Sequence, residues 1–431
     1  MRRNCFIIII LLMIILLGDV FAQNPNPNTN SFKIFFRNRF RIEAWDNAVN
    51  LNDSANDAFS YTRNKISFGF KWNPAINIEI LAKLTNEFKI FLSPKDRPFN
   101  SQELVFDQLY FKWKNPRGIP MTLTVGRQDI LIAEDFITGD ATPLDGSRTF
   151  YFNAVRMDYQ LKKDHLFTFI INHEDSTDKI LPVLHSQKQS IVEQPETGIF
   201  LYYSGKIRTL NLDLYYVRKN IEETRKIPIA SGINAIGSRI KVPLIKDFAF
   251  VAEGNMQNGS YGSNDRLAFG GLFHFDYSVR NRIPYIKMFT LGGFYLTGDD
   301  PATARREAWD PLFGRWPKWS ESYLYTLTRE SSLAYWSNMN SIYTTITFDF
   351  NSYNVNGYFT YYHLGADNTV PSLFPGGTGK TRGDLLVYRM NYKANKYLNG
   401  VLIWEYFKPG NFYFKGASSY HWLRFELTFI Y

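Results

Sequence analysis

The chain has 431 residues, a formal net charge of +9 and a mean hydropathy of −0.26, with 21% charged and 17% aromatic residues. That balance excludes a helical membrane protein, because beyond the N-terminal segment no run approaches the roughly 20 apolar residues a spanning helix needs. No lysine-rich arm of the kind that binds nucleic acid is present, so the basic balance is assigned to a lumen or an anionic solute rather than to nucleic acid.

At the N-terminus, Arg2 and Arg3 precede an apolar run from Phe6 to Leu17, and Val20-Phe21-Ala22 follows with small or β-branched residues. This reads as a secretory signal, residues 1–22, too short for a membrane span. The single cysteine, Cys5, lies inside it, so the processed chain has no thiol for a disulfide, a thiolate metal site or a nucleophile. Residues 23–32, rich in Asn and Pro, read as a disordered leader.

From residue 33 the chain alternates with a period of two. Strands are expected near 33–45, 61–73, 76–88, 103–114, 120–130, 148–160, 165–173, 196–204, 208–219, 230–243, 247–256, 265–277, 285–297, 341–350, 354–363, 383–392, 398–408 and 419–431. Short turns, such as Pro74-Ala75 and Leu161 to Asp164, alternate strictly with longer polar or Gly/Pro-containing loops, eight against nine. This pattern describes an all-β fold: a single-chain transmembrane antiparallel barrel over residues 33–431, with 18 strands, or 16 or 20 if one hairpin is missed or invented. Both termini then fall on the short-turn side, expected to be periplasmic. The 27 Tyr and 37 Phe exceed what a soluble core needs and fit aromatic girdles at two membrane interfaces.

The last strand shows the alternation most clearly. Leu423, Phe425, Leu427, Phe429 and Tyr431 share one face, and Trp422, Arg424, Glu426 and Thr428 the other. Alone it would suit a soluble sandwich; at the end of such a series it reads as the closing strand.

Taking each apolar face as lipid-facing sends the charges inward. The first strand offers Arg37, Arg39, Arg41 and Glu43, and the second Arg63, Lys65 and Lys71. The same rule places Arg156, Asp213, Arg239, His274, Arg389, Glu405, Arg424 and Glu426 in the lumen, and closure brings Arg424 and Glu426 beside the first strand's arginines. A file of guanidinium groups in a low-dielectric channel selects anions, because arginine stays ionised and matches carboxylate or phosphate geometry. The alternative is a structural ion-pair network that fills the lumen.

The longest loop, about Gly298 to Asn340, carries Trp309, Phe313, Arg315, Trp316, Trp319 and Tyr323. Aromatic faces beside charges suit a surface lid that stacks on sugar rings, and equally a plug folded inward. The acidic clusters Glu174-Asp175 with Asp178, and Asp299-Asp300, lack ordered ligand spacing, so no metal or other cofactor is expected.

Val125-Gly126-Arg127-Gln128-Asp129, then Leu144 to Phe150 with Arg148, then Val155-Arg156, resemble elements of the alginate export family of outer-membrane proteins, as does Arg37-Asn38-Arg39-Phe40-Arg41-Ile42-Glu43. The resemblance implies a monomeric 18-stranded barrel whose electropositive lumen passes an anionic polysaccharide, with Arg127, Arg148 and Arg156 as lumenal cations. Expected partners are therefore an anionic saccharide or other organic anion, outer-membrane lipid, the barrel-assembly machinery and periplasmic export proteins. Two other classes remain open at this point: a closed, glycan-binding surface barrel, and an outer-membrane hydrolase. The hydrolase is disfavoured, since only six His are present and no nucleophile, HExxH or phosphate-loop motif accompanies them.

Overall fold

The computed structural model describes residues 30–431 apart from 56, 98–99, 133–135, 139–150, 185–191, 281, 315–316, 318, 324–325, 328–335 and 370–375. The expected signal, most of the expected leader, and Arg148, Arg315 and Trp316 lie outside the described residues. The strands, in chain order, are β1 (Ser31–Asp46), β2 (Phe59–Ala75), β3 (Ile78–Ser93), β4 (Asn100–Lys114), β5 (Met121–Gln128), β6 (Phe152–Lys162), β7 (His165–Glu174), β8 (Val183–Leu184), β9 (Glu196–Ile207), β10 (Leu210–Ile221), β11 (Ser231–Ile245), β12 (Phe248–Tyr261), β13 (Asn264–Ser278), β14 (Ile286–Leu296), β15 (Met339–Phe350), β16 (Val355–Gly365), β17 (Thr381–Lys393), β18 (Leu398–Pro409) and β19 (Tyr420–Ile430).

Eighteen of these form one closed antiparallel barrel: each strand pairs with its neighbour in sequence, β7 pairs with β9, and β19 returns to β1. The two-residue β8 lies outside that series. It pairs with β4 at Leu104 and Val105, beyond the point where the short β5 stops.

Burial along the strands is inverted relative to a soluble sheet. In β1, Phe32, Ile34 and Ile42 are exposed while Arg39, Arg41 and Glu43 are buried, and in β19 Leu423, Phe425, Leu427 and Phe429 are exposed while Arg424 is buried. Exposed apolar and buried charged residues at period two are what lipid outside and a polar lumen inside require. No helix among the described residues is long and apolar enough to cross a membrane; the crossing elements are strands.

Most boundaries differ from expectation by a few residues, and three of the differences are informative. Ser31 and Phe32, placed in the leader, belong to β1, where Phe32 stacks on Phe70 at 5.3 Å. The first short turn falls at Ile76 and Asn77 rather than Pro74-Ala75. One of the nine expected long loops is instead a two-residue hairpin: β12 runs on to Tyr261, and Gly262, with φ of 59°, makes the turn with Ser263. Gln257 reads as loop because it is polar, yet it is buried against the lumen's contents.

The hydrophobic core sits inside the barrel towards its long-loop end. Ala48 and Leu51 after β1, Ile130, Ile132 and Phe136 after β5, Trp309, Phe313, Tyr323 and Trp336 after β14, and Tyr413 after β18 all join one buried cluster.

Candidate functional site

The site forms at the seam where the first and last strands meet. The β1–β19 register sets Arg41 opposite Glu426 and Glu43 opposite Arg424. Arg41 Nε donates to Glu426 Oε2 at 2.6 Å, Arg424 Nε lies 3.5 Å from Glu43 Oε1, and Tyr61 donates its hydroxyl to Glu43 at 3.0 Å.

On its other edge β1 meets β2 with cation facing cation: Arg41 opposite Arg63, Arg39 opposite Lys65 and Lys33 opposite Lys71. Like charges directly across a ladder are destabilising, so these pairs require acids nearby. Glu87 on β3 accepts from Arg63 at 2.7 Å and lies 3.7 Å from Arg39, and Glu79 takes Lys71 at 2.6 Å. The acids restrain the cations without removing their excess.

A cavity of about 550 Å³ opens against this wall, lined by β16 to β19, by β1 and by the loop after β14. Its charged lining is five arginines, Arg37, Arg39, Arg41, Arg389 and Arg424, against three glutamates, Glu321, Glu405 and Glu426. Tyr358 and Trp319 add ring surface. Arg63 and Lys65 stand behind the first-strand arginines, held by the ladder described above.

The loop after β14 enters the lumen and packs there. Trp309 stacks on Phe136 at 4.9 Å and meets Trp336 at 5.1 Å. A side chain at Gly270 would strike the Trp309 indole at 2.2 Å, so a glycine on β13 is what lets that ring reach the wall. Phe313 fits between Phe152 and Phe200 at 6.0 and 5.0 Å, and Trp319 stacks on Phe294 at 5.5 Å. Trp309, Phe313 and Tyr323 are buried, so these rings form an internal plug and present no face at a loop tip to a surface glycan.

Polar anchors fix the plug. Lys219 on β10 donates to Asp310 at 3.1 Å and to the Leu312 carbonyl at 2.5 Å, and the Gln257 side chain makes two hydrogen bonds to the Asp310 backbone, at 2.7 and 2.9 Å. Burial alone would raise the Asp310 pKa, but Lys219 and Arg266 outweigh it and hold the carboxyl below its ordinary value. Glu405 on β18 accepts the Ser320 hydroxyl at 2.6 Å, the Ser322 hydroxyl at 2.5 Å, and the N–H groups of Glu321 and Ser322 at 2.8 and 3.1 Å. Arg382 on β17 donates to both the Tyr323 and Tyr413 hydroxyls at 3.3 Å.

Of the other expected lumenal cations, Arg127 does not line the cavity. It is buried, donates two hydrogen bonds to Asp178 at 2.7 and 2.9 Å, and lies 3.9 Å over the Tyr151 ring, so it clamps the segment after β7 to the wall. Arg156 pairs with Asp158 at 2.9 Å and Arg239 with Asp213 at 3.3 Å, both away from the seam. The acidic clusters are likewise engaged: Glu174 accepts from Asn153, Asp178 holds Arg127, and Asp299 receives the Glu307 N–H at 2.8 Å. No group of metal-ligating side chains gathers among the described residues.

Lys219, Arg382, Asp107 and Asp129 were missed. Lys219 and Arg382 carry no sequence signal, since a strand lysine or arginine at a lumenal position looks alike whether it meets solute or loop. Asp107 pairs with Lys83 at 2.7 Å. Asp129, which accepts from Gln108 in the loop after β5, has its pKa raised to about 6 by burial and by Asp107, against the pull of Lys83 and Lys65.

The short-turn end is also basic. Lys33, Lys114, Lys162, Lys206, Lys241 and Lys393 are exposed there on six different strands, with Asp164 and Asp247 the exposed acids among the described residues of that end.

A closed eighteen-stranded antiparallel barrel with an apolar exterior, a charged lumen and an inward-folded loop is the porin fold of outer membranes. Among solved structures the chain is similar to Pseudomonas aeruginosa OccK5 (OpdH), with 12% identity, a TM-score of 0.58 and coverage of 93% of this chain and 98% of that one. It is also similar to Acinetobacter baumannii OccAB4, at 15% identity and a TM-score of 0.57 over 94% and 100% of the two chains. A third likeness is to P. aeruginosa OccK2 (OpdF) in complex with glucuronate, at 10% identity and a TM-score of 0.56 over 93% and 98%. At these identities the likeness is one of fold. The sequence matches no protein-family model and no curated protein.

Proposed function

We propose that this protein is an outer-membrane channel that admits small organic anions, chiefly carboxylates, past the arginines of its closing seam. The observation that carries this reading is the cavity of about 550 Å³ with five arginines against three glutamates in its lining. A guanidinium meets a carboxylate through two parallel hydrogen bonds, and a low-dielectric wall strengthens the field that draws it in. Interleaved glutamates keep the attraction moderate, as a conduit requires if its cargo is to leave. The glucuronate bound by OccK2 is a solute of this chemistry and supports the reading by analogy of fold.

Export of an alginate-like polysaccharide is the weaker reading. Of the residues carried over from that resemblance, Arg127 is engaged by Asp178, and the loop after β14 occupies lumen that a polymer would thread. A monomeric barrel in outer-membrane lipid, with its short turns in the periplasm, completes the proposal. The test is conductance and reversal potential of the purified protein in planar bilayers under a KCl gradient, followed by glucuronate on one side. Anion selectivity with concentration-dependent glucuronate block is expected; a cation-selective or non-conducting protein would overturn the reading.

A further inference from the structure

Glu321 stands where the carboxylate of an incoming solute would stand. Its Oε2 accepts from Arg424 Nη1 at 3.2 Å, and both residues line the cavity at the seam. The backbone beneath it is fixed by other means: Ser320, Ser322 and the N–H groups of Glu321 and Ser322 all donate to Glu405. The loop is therefore pinned through Glu405, by contacts in which the Glu321 carboxylate takes no part. Arg424 has a second acid, Glu43, 3.5 Å from its Nε and opposite it in register, so departure of Glu321 leaves the guanidinium with a counter-charge.

We propose that Glu321 is a tethered carboxylate that occupies the Arg424 position in the anion path and competes with solute carboxylates for it. The proposal rests on the channel reading above and names the residue that sets the affinity of its anion site. A tethered competitor acts at an effective concentration in the millimolar range or above, so it yields only to anions that bind well. Solute affinity is reduced by the fraction of channels in which Glu321 holds the site. Chloride, which cannot make the paired hydrogen bonds of a carboxylate, displaces it least. Glu321 thus lowers the affinity of the site for carboxylates and halides by one common factor, so that only the better-binding carboxylates occupy it at low concentration.

The experiment compares the wild type, Glu321→Gln and Glu307→Gln in planar bilayers, with chloride and D-glucuronate as probes. Glu307 belongs to the same loop and contacts Thr303, away from the seam cavity, so its variant controls for the loss of one loop charge. Glu321→Gln is expected to bind glucuronate roughly three- to tenfold tighter, by removing the competing state, and chloride tighter by a similar factor; Glu307→Gln should match the wild type. Glucuronate affinity within twofold of wild type in Glu321→Gln, or an equal shift in Glu307→Gln, would overturn the proposal. Should Glu321→Gln fail to fold, Glu321→Asp keeps the charge but withdraws the carboxylate by one methylene, and must show a shift in the same direction. A wild-type channel without anion selectivity would instead defeat the channel reading, which separates the two failures.

Discussion

Arg41 on the first strand donates to Glu426 on the last at 2.6 Å, across a register that places the two residues opposite each other. One contact thus joins chain ends 385 residues apart and stands in the wall of the seam cavity. Closure of the barrel and placement of the proposed anion site are the same event, because neither arginine file nor glutamate partner is complete until β19 meets β1.

Replacing Arg37, Arg39 and Arg41 together by Gln should lower the chloride-to-potassium permeability ratio by roughly threefold to tenfold and weaken glucuronate block. Reversal potentials under a salt gradient measure this. Gln retains polarity and similar reach, so heat-modifiable migration on gels should persist. An unchanged ratio would move the filter away from the seam.

Acidification should increase anion selectivity. The Asp129 carboxyl, raised to about 6, is charged at neutral pH and takes up a proton as pH falls through that value, leaving Lys65 and Lys83 less compensated. Because its folded pKa lies above the unfolded value, burial of the charged form costs stability above about pH 6, and this cost fades as pH falls toward about 4. Asp129→Asn should sit on the acid plateau at every pH. A selectivity step between pH 7.5 and 5 that survives in Asp129→Asn would assign the titration to another group.

Deleting residues 310–320 should raise single-channel conductance, since the deletion removes Phe313 and Trp319 from the lumen and breaks the Lys219–Asp310 and Ser320–Glu405 contacts. Glu405→Gln should produce a milder form of the same change, seen as added open-channel noise, because four donors lose their charged acceptor. Conductance equal to wild type in both variants would leave the loop with a packing role only.

Removing Phe429 to Tyr431 should impair assembly into the membrane. Tyr431 exchanges two backbone hydrogen bonds with Phe36, at 2.9 and 3.0 Å, and Ile430 donates to Tyr397 at 2.8 Å, so the deletion unpairs one end of the closing strand. Fractionation and heat-modifiability report the outcome; normal insertion would deny the segment that role.

The wall was legible in the sequence because lipid imposes a strict two-residue period, which residues such as Phe425 and Arg424 reveal without any knowledge of neighbours. The seam followed from the same logic, since the last strand of a closed barrel must meet the first. Inside the lumen that logic fails. Arg39 and Arg127 look alike in sequence, yet one lines a cavity and the other is spent on Asp178, and the difference lies in a loop contact 51 residues away. Gln257 gave a false loop signal for the same reason: its partner, the Asp310 backbone, belongs to a distant segment. Aromatic content told that the loop after β14 mattered but not which way it turned.

The lysines at the short-turn mouth give the barrel an electrical polarity. Fixed positive charge is concentrated at one end, on Lys33, Lys114, Lys162, Lys206, Lys241 and Lys393, so the ion atmosphere differs between the two mouths. A conduit with that asymmetry should rectify, with current carried by anions entering from the lysine side exceeding that driven the opposite way at equal voltage. The sign of that rectification reads out which mouth faces which chamber, and so supplies the sidedness of each inserted molecule without a label.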